Sequence, residues 1–453
     1  MIDERERAGC IAVLGAGGSG FAAAALALKL APRVVVLDGG DPAKLAKAAT
    51  RFRELGVETV FGPGADQFSG MVDYVVQSPG IDPRKPIVRQ FLDRGIPVIG
   101  EIEFAFRHFG APIIAITGTN GKTTTTEMIG AVLRHAGLRA ECAGNYGVPF
   151  SEIVLRNEVQ DAVSLEVSSF QLERIERFHP RVAIWLNFAP DHMDRYDTLE
   201  EYRAAKGRVF ENMGLEDRVV IQTPIAGYAD GVSSSVVTFS AFGGGDYTYA
   251  DGWILFRGER VFDFGATRLR GVHNAENVMA VLAAVGEFGI GPEKVAEALQ
   301  EYRAPSHRCE LVGEIDAHEC INDSKATNLH ALESSLRGQL EPVVLIAGGK
   351  DKGLDFTEIR EALVGKVSHA VLIGQTRERI ARDWEGVVPC SLADSLGGAI
   401  DEALQRALPR QTILLSPGTS SFDMFTSYED RGDSFRREVQ RRQTSGGARR
   451  EIG

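Results

Sequence analysis

The stretch Ile113-Ile114-Ala115-Ile116-Thr117-Gly118-Thr119-Asn120-Gly121-Lys122-Thr123-Thr124 sets an apolar run directly before a loop of small residues ending in Gly-Lys-Thr-Thr. The run reads as a buried strand, and residues 125–135 behind the loop read as a helix. Glycines let backbone N–H groups approach an anion, and a helix N-terminus turns its partial positive charge toward it. Lys122 is placed to reach the β/γ-phosphates of a nucleotide, and the Thr123 hydroxyl to ligate Mg²⁺. The generic phosphate loop has four residues between its glycines, whereas here Thr119 and Asn120 alone separate Gly118 from Gly121. A glycine turn with no ligand is the bland alternative. The expected ligand is ATP, held by Gly118, Thr119, Asn120, Gly121, Lys122, Thr123 and Thr124.

The rest of the chain repeats this strand-and-helix rhythm. Residues 11–14, 34–37, 57–61 and 74–77 read as short strands, with helices over 21–30 and 42–55. Such alternation implies a parallel sheet covered on both faces. Further strands are expected at 162–166, 182–187 and 219–222, then a β-hairpin excursion over 240–264 and helices over 278–288 and 294–302. A third segment has strands at 343–347, 369–373 and 412–415 and a helix over 391–407. With 453 residues the chain is too long for one ordinary domain. The expected fold is α/β in three domains: a Rossmann-like one over 1–100, a phosphate-loop ATPase-like one over 101–304, and a second Rossmann-like one over 305–453.

Composition excludes several function classes. The 44% hydrophobic and 25% charged content is that of a soluble globular protein. No apolar run approaches the roughly 20 residues of a membrane helix, and the charged first residues lack a signal-peptide core. A cytoplasmic location follows by default. With 50 basic and 62 acidic residues the net charge is −12, a poor match to nucleic acid. The Arg-rich tail over 436–450 reads as a solvated helix end. Five scattered cysteines contain no C-x-x-C pair and read as reduced thiols.

A second glycine fingerprint, Gly15-Ala16-Gly17-Gly18-Ser19-Gly20, follows a strand and opens a helix, and Asp38 ends the next strand where a ribose-binding acid belongs. By itself this pattern favours an NAD-dependent oxidoreductase. Its physics demands only a phosphate-bearing ligand at a helix N-terminus, so a diphosphate-linked sugar near Gly18 and Ser19 serves equally well. The second reading is preferred because nothing downstream supplies a hydride-transfer site.

Three further groups surround the phosphate loop in sequence logic. Glu166 ends a strand, where α/β sheets place ligands, and its carboxylate suits Mg²⁺, which takes hard oxygen ligands. His192, in Pro190-Asp191-His192-Met193-Asp194-Arg195-Tyr196, sits on a polar loop after another strand and is a metal or substrate candidate. Lys206, in Tyr202-Arg203-Ala204-Ala205-Lys206, looks by spacing alone like an ordinary exposed helix lysine.

Taken in order, these motifs resemble the Mur ligases over almost the whole chain. The resemblance rests on 117–124, on Glu166-Val167-Ser168-Ser169-Phe170-Gln171-Leu172-Glu173, on 191–196 and 202–206, and on His273-Asn274-Ala275-Glu276-Asn277. It continues through His307-Arg308, Asn322-Asp323-Ser324-Lys325-Ala326-Thr327-Asn328 and 415–423. It implies an ATP-dependent amide ligase of peptidoglycan precursor synthesis, with ATP and two Mg²⁺ ions as cofactors. UDP-N-acetylmuramoyl-L-alanine and D-glutamate are the implied substrates, and a monomer is expected. A folylpolyglutamate synthase-like ligase is the same-class alternative.

By the same resemblance Thr123 and Glu166 hold one Mg²⁺, and His192 and a carbamylated Lys206 serve the second. Lys122, His192 and Lys206 form the catalytic group. Asn274, Asn277, Arg308 and Asp323 help seat ATP. Gly18, Ser19, Asp38, Ser78, Pro79 and Gly80 lie on the UDP side, and Asn145, Ser168 and Gln171 contact the muramoyl-alanine portion. Lys325, Thr327, Lys352 and Ser421 hold the amino acid, with Lys352 preferred to Lys350.

Overall fold

The computed structural model describes residues 8–193, 195–300, 302, 306–339 and 341–450, the side chains of 445–450 excepted. The boundary expected between 304 and 305 lies outside the described residues. Three sheets form, as the alternation of strands and helices requires.

In the first sheet the strands β1 (Cys10–Leu14), β2 (Arg33–Asp38), β3 (Glu58–Phe61), β4 (Tyr74–Gln77) and β5 (Val98–Gly100) are all parallel, in the order β3-β2-β1-β4-β5. The order reverses at β1, so a crevice opens between the ends of β1 and β4, where such sheets bind ligands. Both the Gly15 turn and Ser78 stand there, with the Ser78 N–H donating to the Leu14 carbonyl at 3.0 Å. β1 is buried along its whole length, in keeping with its unbroken apolar run.

The second sheet contains β6 (Ile113–Thr117), β7 (Ala140–Gly144), β8 (Ala162–Glu166), β9 (Val182–Trp185), β10 (Arg218–Gln222) and β11 (Ser235–Ser240). The expected excursion resolves into three short strands, β12 (Tyr247–Ala250), β13 (Trp253–Phe256) and β14 (Glu259–Asp263). The order is β14-β13-β12-β11-β10-β9-β6-β8-β7, so β6 lies between β9 and β8. Register pairs Ile116 with Glu166 and Thr117 with Trp185, setting the loops after β6, β8 and β9 side by side.

The third sheet runs β15 (Glu310–Ile315), β16 (His318–Asn322), β20 (Ile413–Leu415), β17 (Val343–Gly348), β18 (Val367–Ile373) and β19 (Cys390–Leu392). β19 corrects the helix expected from residue 391. The helix starts at Leu396, because the Ser395 hydroxyl accepts the Gly398 N–H at 3.1 Å and caps it there.

The chain divides into two compact units. One contains the residues up to Ala250 with Ile254–Phe262 and Val278–Leu299, and the other Asp251–Trp253, Asp263–Asn277 and the chain from Gln300. In the first unit the β1–β5 and β6–β11 regions share one apolar core, in which Leu26, Ile102 and Phe104 join Phe150, Leu165 and Trp185. No helix among the described residues is long and apolar enough to cross a membrane.

Candidate active site

The phosphate loop leaves β6 through Gly118, whose φ is +150°, and enters the helix Lys122–His135 through Gly121 at φ +83°. A side chain at Gly121 is disfavoured by that left-handed backbone. The Lys122 ammonium folds over its own loop and donates to the Gly118 and Thr119 carbonyls, at 2.9 Å each.

Glu166 is buried at the end of β8, and both its carboxylate oxygens are used. Oε2 accepts the Thr123 hydroxyl at 2.8 Å and Oε1 accepts the Asn145 amide at 2.8 Å. Thr123 and Glu166 thus present adjoining hard oxygens at the head of the helix, a donor set that fits Mg²⁺ completed by water and substrate phosphate. Among the described residues no group of three or more His, Cys, Asp or Glu forms a preassembled metal cluster.

Lys206 departs most from its sequence appearance: it is 2% exposed. The helix Leu199–Gly207 buries Tyr202, Ala205 and Lys206 along one side, and the ammonium lies 4.8 Å over the Tyr202 ring. Its Nζ donates to the Gly118 carbonyl at 2.9 Å. Burial, and next the Lys122 ammonium, push its pKa well down, against the opposing pull of the Asp191 and Glu166 carboxylates. His192 has φ +57° and packs against Phe170 with the rings tilted and their centroids 4.8 Å apart.

The fingerprint over 15–20 is shaped by contact as well as conformation. A Cβ at Gly20 would lie 1.9 Å from the Gly15 carbonyl oxygen, whereas Gly17 and Gly18 face open space. The Asp38 carboxylate clamps this turn, accepting the Ala16 N–H and the Gly40 N–H at 2.8 Å each. Beside it the buried Ser78 hydroxyl has no hydrogen-bond partner among the described residues. Ser168 and Gln171 form a capping box on the short helix Ser169–Leu172.

The remaining candidates lie in the second unit. Asp323 follows β16; its oxygens accept the Cys309 N–H at 3.2 Å and the Ser416 hydroxyl at 3.0 Å. Burial pushes its pKa up to about 6 despite those bonds. The Lys325 ammonium lies 3.7 Å over the Tyr428 ring. Lys352 Nζ donates to the Thr327 carbonyl at 3.3 Å, while the Lys350 N–H pairs with the Ser420 carbonyl. Ser421 is buried. Asn277 donates to Asn274 Oδ1 at 3.2 Å, and Asn274 to the Arg270 carbonyl at 2.8 Å.

Sequence reasoning gave no role to Asn187. Its Oδ1 accepts the Thr119 and Asn120 N–H groups at 3.1 and 2.9 Å, and its Nδ2 donates to the Asn120 carbonyl at 3.1 Å. One amide therefore braces the phosphate loop. Its place just beyond β9, the neighbour of β6, is the signal that could have found it.

The site thus sets a glycine loop, the buried Thr123–Glu166 oxygen pair and the buried Lys206 around the end of β6. A family model for the Mur ligase middle domain matches residues 116–285, and one for the Mur ligase glutamate ligase domain matches 307–418. UDP-N-acetylmuramoylalanine–D-glutamate ligase of Salinibacter ruber is 39% identical over 94% of this chain and 97% of its own length. The chain belongs to the Mur ligase family. The UDP-N-acetylmuramate-alanine ligase MurC of Thermotoga maritima shares the fold at 20% identity and a TM-score of 0.57, over 96% of this chain and 99% of that one. A Mycobacterium tuberculosis folylpolyglutamate synthase shares it at 16% identity and 0.53, over 68% of this chain and 89% of that one. Fold likeness therefore extends across ligases with different names.

Proposed function

We propose that this chain joins D-glutamate to the alanyl carboxylate of UDP-N-acetylmuramoyl-L-alanine, using ATP, in peptidoglycan precursor synthesis. The name of the 39%-identical relative supports the substrate pair. The chemistry rests above all on the buried Thr123–Glu166 pair at the head of the phosphate-loop helix.

The alanyl carboxylate attacks the γ-phosphorus; a P–O bond forms, the β–γ anhydride breaks, and ADP leaves. The amine of glutamate then attacks the acyl phosphate carbon, loses a proton, and inorganic phosphate is expelled. Lys122 neutralises charge on the transferring phosphoryl group, and the helix N-terminus holds the phosphates. Thr123 and Glu166 would hold one Mg²⁺, and His192 with Lys206 a second. Bound Mg²⁺ neutralises phosphate charge and polarises the γ-phosphoryl group. Asn274, Asn277, Arg308 and Asp323 seat the nucleotide. Lys325, Thr327, Lys352 and Ser421 hold glutamate, the Lys352–Thr327 contact favouring Lys352 over Lys350. Gly18, Ser19, Asp38 and the 78–80 loop hold the UDP portion, and Asn145, Ser168 and Gln171 the muramoyl-alanine portion.

A lysine whose ammonium is disfavoured by burial offers a neutral amine to carbon dioxide, and the resulting carbamate is an oxygen ligand. Lys206→Ala is expected to be nearly inactive and to recover partly with added short carboxylates; full activity in that variant rejects the carbamate. The five cysteines are all free, which supports a cytoplasmic location, and the enzyme is read as a monomer.

The decisive assay is phosphate release with each component omitted in turn and with both glutamate isomers. Release is expected only with ATP, Mg²⁺, the UDP substrate and D-glutamate together. Full release without the UDP substrate would sink the reading.

A further inference from the structure

We propose that Arg195 is a positioning residue that ties the Ser78-Pro79-Gly80 loop to the segments carrying Gln171 and His192. This rests on the reading of 78–80 as the UDP-substrate loop. The Arg195 guanidinium forks onto Glu173, with Nε to Oε1 at 3.2 Å and Nη2 to Oε2 at 2.5 Å. Its remaining arm, Nη1, donates to the Pro79 carbonyl at 3.3 Å. The guanidinium carbon lies 4.3 Å from the centroid of the Phe170 ring, which also packs against His192. Tyr196 also holds Glu173, its hydroxyl donating to the same Oε1 at 2.7 Å. The arginine side chain is 9% exposed, so its bonds are poorly replaced by water.

Each contact falls beside a residue already placed at the substrate. Pro79 is in the UDP loop, Phe170 precedes Gln171, Glu173 ends the same segment, and Arg195 itself follows His192 by three positions. A planar fork satisfies a carboxylate and leaves an N–H for a carbonyl; a lysine ammonium has no such geometry. The same region contains a contrasting tie. Glu103 accepts the N–H groups of Glu176, Arg177 and Phe178 at 2.9 Å each and the Arg107 Nε at 2.8 Å. These bonds join Glu103 and Arg107 to residues 176–178 and include no residue of the 78–80 loop, so Arg107 serves as the comparison.

The test compares Arg195→Lys with Arg107→Lys in the full chain, measuring melting temperature and the KM of each substrate. Arg195→Lys is expected to raise KM for UDP-N-acetylmuramoyl-L-alanine about tenfold, the loss expected when a charge-assisted network is broken. KM for ATP and glutamate should stay within about twofold, by the same locality of contact. Arg107→Lys should lower the melting temperature with all KM values unchanged. Glu173→Gln, which keeps an acceptor but loses the charge, should raise the UDP-substrate KM about threefold and serves if Arg195→Lys fails to fold. Active wild type with an unchanged UDP-substrate KM in these variants overturns the inference alone. Wild type without UDP-substrate-dependent phosphate release overturns the functional reading, and this inference with it.

Discussion

Two glycine turns in this chain begin alike and end differently. Both follow a buried parallel strand and open a helix, Gly15–Gly20 after β1 and Gly118–Thr124 after β6. Around the first stand Asp38, spent on backbone N–H groups, and the unpartnered hydroxyl of Ser78. Around the second stand Lys122, Thr123, Glu166 and the buried Lys206. The backbone of each can cradle a phosphate, but the second alone has buried charge able to respond when charge moves in a reaction. A fingerprint thus gives a backbone suited to an anion, and its surroundings give the charge that could act on one.

The strongest way to break this contrast is Lys122→Ala. It should cost ~3 kcal/mol or more in the barrier, about a hundredfold or greater loss of kcat. Affinity for the UDP substrate, measured by calorimetry, should hold within about twofold, since that ligand is proposed to meet the other turn. Equal loss of both would erase the division of labour.

A comparable effect is expected from buried charge in the second unit. Asp323 has its pKa raised from 3.8 to about 6. Between those values the folded state binds more protons than the unfolded one, so stability should fall as the pH rises from about 4 to about 6. The full span is roughly 3 kcal/mol. Denaturant titrations across this range should show the slope in wild type and its reduction in Asp323→Asn.

Gly20→Ala should destabilise by roughly 2 kcal/mol, because the new methyl meets the Gly15 carbonyl oxygen. Gly18→Ala faces open space, so its melting temperature should be nearly unchanged while KM for the UDP substrate rises. If both variants lost stability equally, the turn would be structural throughout. The smallest effect belongs to Ser78→Ala. Its hydroxyl has no partner to lose in the free protein, so stability should hold, with the UDP-substrate KM rising about fivefold, near 1 kcal/mol.

Much of the fold was legible because its signals are local. The apolar runs of β1, β6 and β8 need no distant partner to be recognised, and both glycine turns announce themselves by residue type. Ser391 and Leu392 fall in the expected helix because Cys-Ser-Leu carries no strand pattern of its own; pairing with β18 makes these residues a strand. The same division runs through the site. Glu166 was readable from its place at a strand end, and Thr123 from its place in the loop.

Lys206 was not readable as a buried group: its helix spacing is that of a surface lysine, and the carbonyl that receives it lies 88 positions away. Asn187 and Arg195 escaped for the same reason, their partners being 67 to 68 and 116 positions distant along the chain. The sequence by itself determined the strands with an apolar run of their own, such as β1 and β6, the two glycine turns and the family resemblance, since these depend on residue type and order. The tertiary structure alone decided which polar groups are buried, which carbonyls they meet and which way their pKa values move, because desolvation and hydrogen bonding are set by neighbours that chain order does not bring together.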